Sequence, residues 1–250
     1  MVTVAELDDL MLQGWRALTC TEVDGWLVRR SAGVTSRANS VLPLTPPADV
    51  GKALREVEDL YHGTGLASTF LIGPAAQPAD LDELLAARGY TRLRPTLLQT
   101  ADVATVLERL PSSDVAVRID KRPDAAWLDL WSLTDGRGGA ETLAVAREIM
   151  EATPALYASV EGSSGITAIG RLALVGAWGG LYGLAVHPDA RRQGQAAAVL
   201  RGLLAEASGH GVDSVWLQVL ADNEPALKLY DRAGFTTATR YHYRTRPVAG

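Results

Sequence analysis

Apolar and polar positions along this chain alternate between two periods, and the switches between them mark its elements. Leu181 to Val186 is a short apolar run bounded by glycines and Pro188, which suits a buried strand. Pro188 and Asp189 turn the chain. From Ala196 the apolar positions fall at Ala196, Val199, Leu200, Leu203 and Ala207, the spacing of a helix with one face on a sheet. Upstream, Gly25 to Arg30 and Arg37 to Leu44 read as strands around the Ala32-Gly33 turn region, and Pro47 opens a helix with Val50, Leu54, Val57 and Tyr61 on one face. Ala67 to Ile72 reads as a strand, Ala79 to Arg88 as a helix stopped by Gly89, Arg92 to Thr100 as a strand and Val103 to Leu110 as a short helix.

After the polar turn Pro111-Ser112-Ser113-Asp114 the pattern resumes with a strand from Val115 to Ile119. Asp124 to Thr134 and Glu141 to Thr153 read as helices flanking the loop Asp135-Gly136-Arg137-Gly138-Gly139. Ala155 to Val160 and Gly165 to Val175 form a hairpin around Glu161-Gly162-Ser163-Ser164. Val212 to Val219 is almost continuously apolar, as in a sheet covered on both faces. A helix from Asn223 to Ala233 ends before Gly234, and Phe235 to Arg246 supplies one or two last strands. The turn at 111–114 divides the chain into 1–110 and 111–250, and 250 residues accommodate two domains of about 100 to 150 each.

Composition excludes several functions. A net charge of −5 leaves no footprint for nucleic acid or an anionic membrane surface. Met1 to Leu12 lacks the basic start and apolar centre of a signal peptide. Ile166 to Val186 carries a single charge, Arg171, but its glycines and the Trp-Gly-Gly break make it two strands joined by a turn, so no membrane insertion is expected. Cys20 is the only cysteine and the four histidines lack ligand spacing, so neither a disulfide nor a metal is expected, and the cytoplasm is the default location.

The chemistry concentrates in Arg191-Arg192-Gln193-Gly194-Gln195-Ala196, between the buried strand and its helix. The first turn of a helix has backbone N–H groups without intrahelical partners, and the dipole there favours negative charge. Gly194 and Ala196 let a ligand approach the backbone, and two arginines stand beside it. This is a pyrophosphate cradle. Neither a P-loop nor a dinucleotide fingerprint fits its spacing.

Arg-x-x-Gly-x-Ala, after a strand ending Leu-x-Val and before an amphipathic helix, resembles the acyl-CoA-binding motif of the GNAT superfamily of N-acetyltransferases. A second motif follows at the usual distance, with Leu217-Gln218-Val219, Asn223, Ala226, Leu229-Tyr230 and Gly234-Phe235. The region from Trp26 to Leu44, including Ser36-Arg37-Ala38-Asn39-Ser40-Val41, is similar to the start of bacterial two-part GNAT proteins. The echo between Leu84-Leu85-Ala86-Ala87-Arg88-Gly89-Tyr90 and Leu229-Tyr230-Asp231-Arg232-Ala233-Gly234-Phe235 reads either as generic helix-to-strand chemistry or as two related folds in tandem. The resemblance implies an α/β fold with a mixed, mostly antiparallel sheet flanked by helices: a catalytic GNAT domain at 111–250 behind a degenerate GNAT-like domain at 1–110 without a cradle.

The resemblance further implies an acetyl-CoA-dependent N-acetyltransferase in which a primary amine attacks directly. The backbone of Leu184, Ala185 and Val186 would pair with pantetheine and the acetyl carbonyl. N–H groups from Arg192 through Gln193, Gly194, Gln195 and Ala196 to Ala197 would hold pyrophosphate, with Arg191 or Arg192 adding charge. Asn223 would bind pantetheine or simply cap its helix. Tyr230 would protonate the leaving thiolate or pack as a core residue. An alkyl amine of pKa about 10.4 must lose a proton, a barrier of about 4 kcal/mol at neutral pH. The strand from Trp178 to Val186 holds no carboxylate to take it, which leaves Glu141, Glu161 and Asp222 as substitutes. The acceptor site should form from the loop Asp135 to Glu141, from Trp178 and Tyr182, and from the first domain. A small-molecule amine is the favoured acceptor. A protein amine, or a CoA-binding sensor without turnover, are the alternatives.

Overall fold

The computed structural model describes residues 2–136, 138–163 and 165–248; Arg137 of the glycine-rich loop and Ser164 of the hairpin turn lie outside the described residues. The strands are β1 (Thr19–Val23), β2 (Trp26–Arg30), β3 (Val41–Pro43), β4 (Ser68–Ile72), β5 (Thr91–Asp102), β6 (Arg118–Asp120), β7 (Ala155–Gly162), β8 (Gly165–Val175), β9 (Trp178–Val186), β10 (Ser214–Leu220) and β11 (Thr236–Arg246). The helices are α1 (Val4–Gly14), α2 (Val50–His62), α3 (Leu81–Ala87), α4 (Val103–Arg109), α5 (Ala125–Asp135), α6 (Ala140–Glu151), α7 (Gln195–Ser208) and α8 (Glu224–Ala233). All the strands join one sheet in the order β1-β2-β3-β4-β11-β5-β10-β9-β8-β7-β6. Among the described residues only β3–β4 and β9–β10 pair in parallel, so the sheet is mixed and mostly antiparallel, with helices packed on it.

The same element order occurs twice, as β3-α2-β4-α3-β5 and as β9-α7-β10-α8-β11. The two echoing segments, Leu84–Tyr90 and Leu229–Phe235, fall at its equivalent α3-to-β5 and α8-to-β11 junctions. The last strand of each set is exchanged. β5 pairs with β10 and β11 with β4, and the two exchanged strands pair with each other.

Local chemistry explains where the elements depart from the hydrophobic pattern. The expected strand from Arg37 to Leu44 is cut to β3, and Ser36–Ala38 is a 3-10 turn. The cause is Asn39, which accepts from the N–H groups of Ser31 (2.7 Å) and Gly33 (2.9 Å) and donates to the carbonyls of Val34 (2.8 Å) and Thr35 (2.9 Å). These side-chain bonds replace a ladder. α2 starts at Val50 and not at Pro47, because Asp49 caps it by accepting from Lys52 N–H at 2.9 Å. β6 is shorter than the run from Val115 to Ile119. α1 and β1 were not apparent from periodicity, although α1 carries a capping box in which Thr3 and Glu6 exchange bonds. The apolar run 166–186 is the β8–β9 pair, and among the described residues no helix is long and apolar enough to cross a membrane.

Two cores flank the active end of the sheet. On one face α7 buries Val199, Leu200, Leu203 and Leu204 completely. On the other, Leu7, Leu10 and Met11 of α1 join Trp127 and Trp131 of α5, Ile149 of α6, Tyr182, Trp216 and Tyr241 in one cluster drawn from both halves of the chain. Each fully buried side chain of this size contributes about 1.5–3 kcal/mol.

Candidate active site

The site begins where two parallel strands part. β9 and β10 pair from Trp178↔Ser214 to Leu181↔Leu217. β10 then continues beside β5 as far as Leu220↔Thr96, while β9 stays with β8 to Val186↔Ala168. From Tyr182 onward the other edge of β9 has no strand beside it among the described residues. Gly183, at φ +59°, and Leu184 stand together against Gly170, a bulge that locally bends the strand.

The open edge leads into the cradle. Pro188–Ala190 forms a 3-10 turn, and Arg192 (φ +64°) and Gly194 (φ +76°) are both left-handed, so successive backbone N–H groups face one concavity. Gly194 is the N-cap of α7 and brings no capping side chain, which leaves the first-turn N–H groups available to an anion. A Cβ at Gly194 would meet nothing within 4 Å, so the left-handed backbone, not crowding within the protein, is what calls for glycine.

A cleft of about 1110 Å³ runs along these parts. Leu184, Ala185, Val186, Arg191, Arg192, Gly194, Gln195, Ala196, Ala197, Asn223 and Tyr230 all line it. Gln193, exposed between the two left-handed residues, does not. Asn223 caps α8 by accepting from Ala226 N–H at 3.3 Å. Tyr230 is 8% exposed, and burial pushes its hydroxyl up to about 12 against the opposing charge of Arg37.

A second cavity, of about 290 Å³, meets the cleft at Leu184, Asn223, Ala226 and Tyr230. Trp15, Thr35, Arg37 and Thr96 come to it from the first half of the chain, and Trp131, Asp135, Tyr182 and Gln218 from the second. Asp135 and Tyr182 were expected there. Trp178 is not part of it; its ring lies 6.5 Å from that of Trp216. Glu141, Glu161 and Asp222 are exposed and line neither cavity, so Asp135 is the one carboxylate among the described residues of this second cavity.

Two arginines organise the walls. Arg171, fully buried, donates to the carbonyls of Gly14 (3.1 Å) and Met150 (2.8 Å), holding the ends of α1 and α6, where the helix dipoles favour a cation. Its guanidinium lies 5.4 Å from the rings of both Trp15 and Tyr182. The signal for it was the lone charge in an apolar run. Arg37 donates from Nε to Gln218 Oε1 and stands 5.8 Å over the Tyr182 ring. Trp15, Thr35 and Thr96 gave no signal, because only the folding of the first half over the second brings them in.

Known proteins resemble this chain over its whole length. Residues 3–244 match the family described as "Probable histone acetyltransferase Rv0428c C-terminal". The protein named Uncharacterized N-acetyltransferase YobR, from Bacillus subtilis (strain 168), is 27% identical over 249 residues, covering 98% of this chain and 100% of its own length. A GCN5-related N-acetyltransferase from Kribbella flavida superimposes with TM-score 0.74 at 16% identity, covering 100% of this chain and 97% of the other. A tandem GNAT protein from the clavulanic acid biosynthesis pathway gives TM-score 0.62 at 15% identity, covering 80% and 70%. The chain belongs to the Rv0428c C-terminal acetyltransferase family and is an N-acetyltransferase of the GNAT type.

Proposed function

We propose that this enzyme transfers an acetyl group from acetyl-CoA to a small-molecule primary amine by direct attack. The observation that carries the reading is the continuity of the open β9 edge, the N-terminus of α7 and Tyr230 along one cleft, with a second cavity joining it at Tyr230. Leu184, Ala185 and Val186 present the backbone groups that pair with the pantetheine amides. The N–H groups of Arg192 and of Gly194 to Ala197 receive the pyrophosphate, with Arg191 and Arg192 supplying charge. Asn223 keeps its capping bond and also faces the pantetheine path.

In the transfer the amine nitrogen bonds to the thioester carbonyl carbon and the carbon–sulfur bond breaks. Tyr230, protonated at every physiological pH, gives its proton to the departing sulfur. Asp135, directly or through water, takes the proton that the amine nitrogen sheds. The modest second cavity, walled from both halves, favours a small acceptor over a protein segment. A protein amine is the second reading, favoured by the histone acetyltransferase in the family's description. A cytoplasmic setting belongs to the same reading, since a single cysteine fits a reducing compartment.

The test is thiol release from acetyl-CoA across a panel of small amines and amine-bearing peptides, with Tyr230→Phe and Gly194→Val in parallel. Amine-dependent release that both substitutions depress is the expected result. Acetyl-CoA binding without turnover on any amine would replace the reading with a CoA sensor.

A further inference from the structure

The segment Ser36-Arg37-Ala38-Asn39-Ser40 separates into scaffold and working group. Asn39 spends all its bonding capacity on the backbone of residues 31–35, and Ser40 accepts from the buried guanidinium of Arg29 through both its carbonyl (3.0 Å) and its hydroxyl (2.7 Å). Thr35, a β-branched residue, is held at φ +61° while its hydroxyl accepts from Trp15 Nε1 at 3.0 Å. Strained backbone so tightly over-determined is characteristic of sites where one side chain must be aimed. The side chain aimed here is that of Arg37. Its Nε is fixed by Gln218, on the stretch of β10 that has parted from β9, and its plane is backed by the Tyr182 ring. Neither Nη group makes a hydrogen bond to a described residue, and Arg37 lines the second cavity, as well as a small third one beside Asp8 and Arg29.

A guanidinium held at Nε with its two Nη groups open is a fork matched to a carboxylate. We propose that Arg37 binds the carboxylate of the acceptor, so that the acceptor is a free amino acid. The inference rests on the transferase reading above and narrows its substrate class. Arg37 and Asp135 line the same cavity and place opposite charges on its wall, which complements a zwitterion. A phosphate dianion would meet repulsion from Asp135, and an amine without an acid group would leave the fork unmatched. Trp15 and Trp131 give the cavity apolar walls suited to a side chain of modest size.

The test compares the common L-amino acids with their carboxamides, which keep the amine and side chain and lose only the charge. Binding is read by quenching of tryptophan fluorescence in the presence of CoA, and turnover by thiol release from acetyl-CoA. In the unmodified protein at least one free acid is expected to bind about tenfold or more tighter than its amide, as losing a charge-assisted fork requires. In Arg37→Gln the preference for the acid over its amide falls to about one, mainly through a raised KM for the acid. Amides that bind as tightly as acids, or no binding by any free amino acid, would overturn the proposal whether or not acetyl-CoA turns over. So would acetylation confined to peptides, or a preference for the acid that survives in Arg37→Gln. The acid–amide comparison needs no variant and stands if Arg37→Gln fails to fold. Loss of thiol release on every amine, with acid-selective binding intact, would instead count against the transferase reading alone.

Discussion

At the scale of single residues, burial favours the proton on both the Tyr230 phenol and the Asp8 carboxyl, with different consequences. The Tyr230 phenol keeps its proton, so in the proposed transfer removing the hydroxyl would take away the acid and little packing. Tyr230→Phe is expected to lower kcat by about 10²- to 10⁴-fold with the KM for acetyl-CoA nearly unchanged. Steady-state kinetics in both substrates decide this, and an unaltered kcat would assign Tyr230 to packing. Asp8, on α1 near Arg29, is desolvated without enough compensation, and its carboxyl is raised from 3.8 to about 6. The folded chain therefore holds a proton there that the unfolded chain releases. Whatever stability that proton confers is complete below pH 3.8 and lost as pH rises through about 6. Asp8→Asn should raise thermal stability at pH 7.5, by up to about 2 kcal/mol, and bring little gain at pH 4. A gain of equal size at both values would contradict the account. Arg171 is the reverse case, a charge that donates to two helix-end carbonyls and to the Tyr157 hydroxyl. Arg171→Met should cost about 3 kcal/mol or more in denaturant unfolding, since all three charge-assisted bonds are lost.

At the scale of elements, β11 is locked into the sheet by ions as well as by its ladders. Asp82 of α3 accepts from Arg244 at 2.7 and 3.1 Å and lies 2.8 Å from His242, all at one end of β11. The bonds from Arg244, with His242 adding to them, hold the Asp82 carboxyl at about 2, below its ordinary 3.8. Its contribution is full above pH 3.8 and falls away as pH drops through about 2. Asp82→Asn should lower stability at neutral pH and flatten its decline below pH 4, measured by urea unfolding across that range. Elements were also where the sequence was most readable. α7, β8, β9, β10 and α8 carry strong periodicity, glycine or proline boundaries and unmixed propensities, and each lies within a few residues of its expected position. α1 was obscured because Val4, Ala5 and Leu12 spread apolar residues beyond the buried face of Leu7, Leu10 and Met11, so its capping box is its clearest signal. The stretch around Asn39 was misread because side-chain bonds override the alternation of a strand. The residues that line the first cleft could be grouped from local spacing, since most of them fall in two short stretches, 184–197 and 223–232. The second cavity could not, because residues 15, 35, 37 and 96 reach residues 131, 135, 182 and 218 only through the closed sheet.

At the scale of the whole molecule, the exchange of β5 and β11 binds the two halves. We propose that the division near residue 110 separates two GNAT-like units that share a sheet and complete it for each other. Expressed alone, residues 111–250 would lack β5 beside β10 and β4 and β5 beside β11, leaving unpaired edges. That fragment should aggregate or show no cooperative unfolding, whereas a sharp monomeric transition would contradict the exchange. The first unit has α2 where the second has α7, but α2 is capped by an Asp49 side chain, and no arginine-flanked glycine turn precedes it. An anion has no cradle there.

The central claim is that one cofactor site per chain is built on the β9 splay and the N-terminus of α7. Calorimetric titration of acetyl-CoA into the full chain and into Gly194→Val tests it most directly. In Gly194→Val the left-handed backbone costs about 1–2 kcal/mol and a Cβ branch stands in the anion's approach. The account predicts one equivalent bound per chain, weakened by about tenfold or more in the variant while its fold, checked by circular dichroism, is retained. Two equivalents per chain, or an affinity indifferent to Gly194→Val, would contradict it.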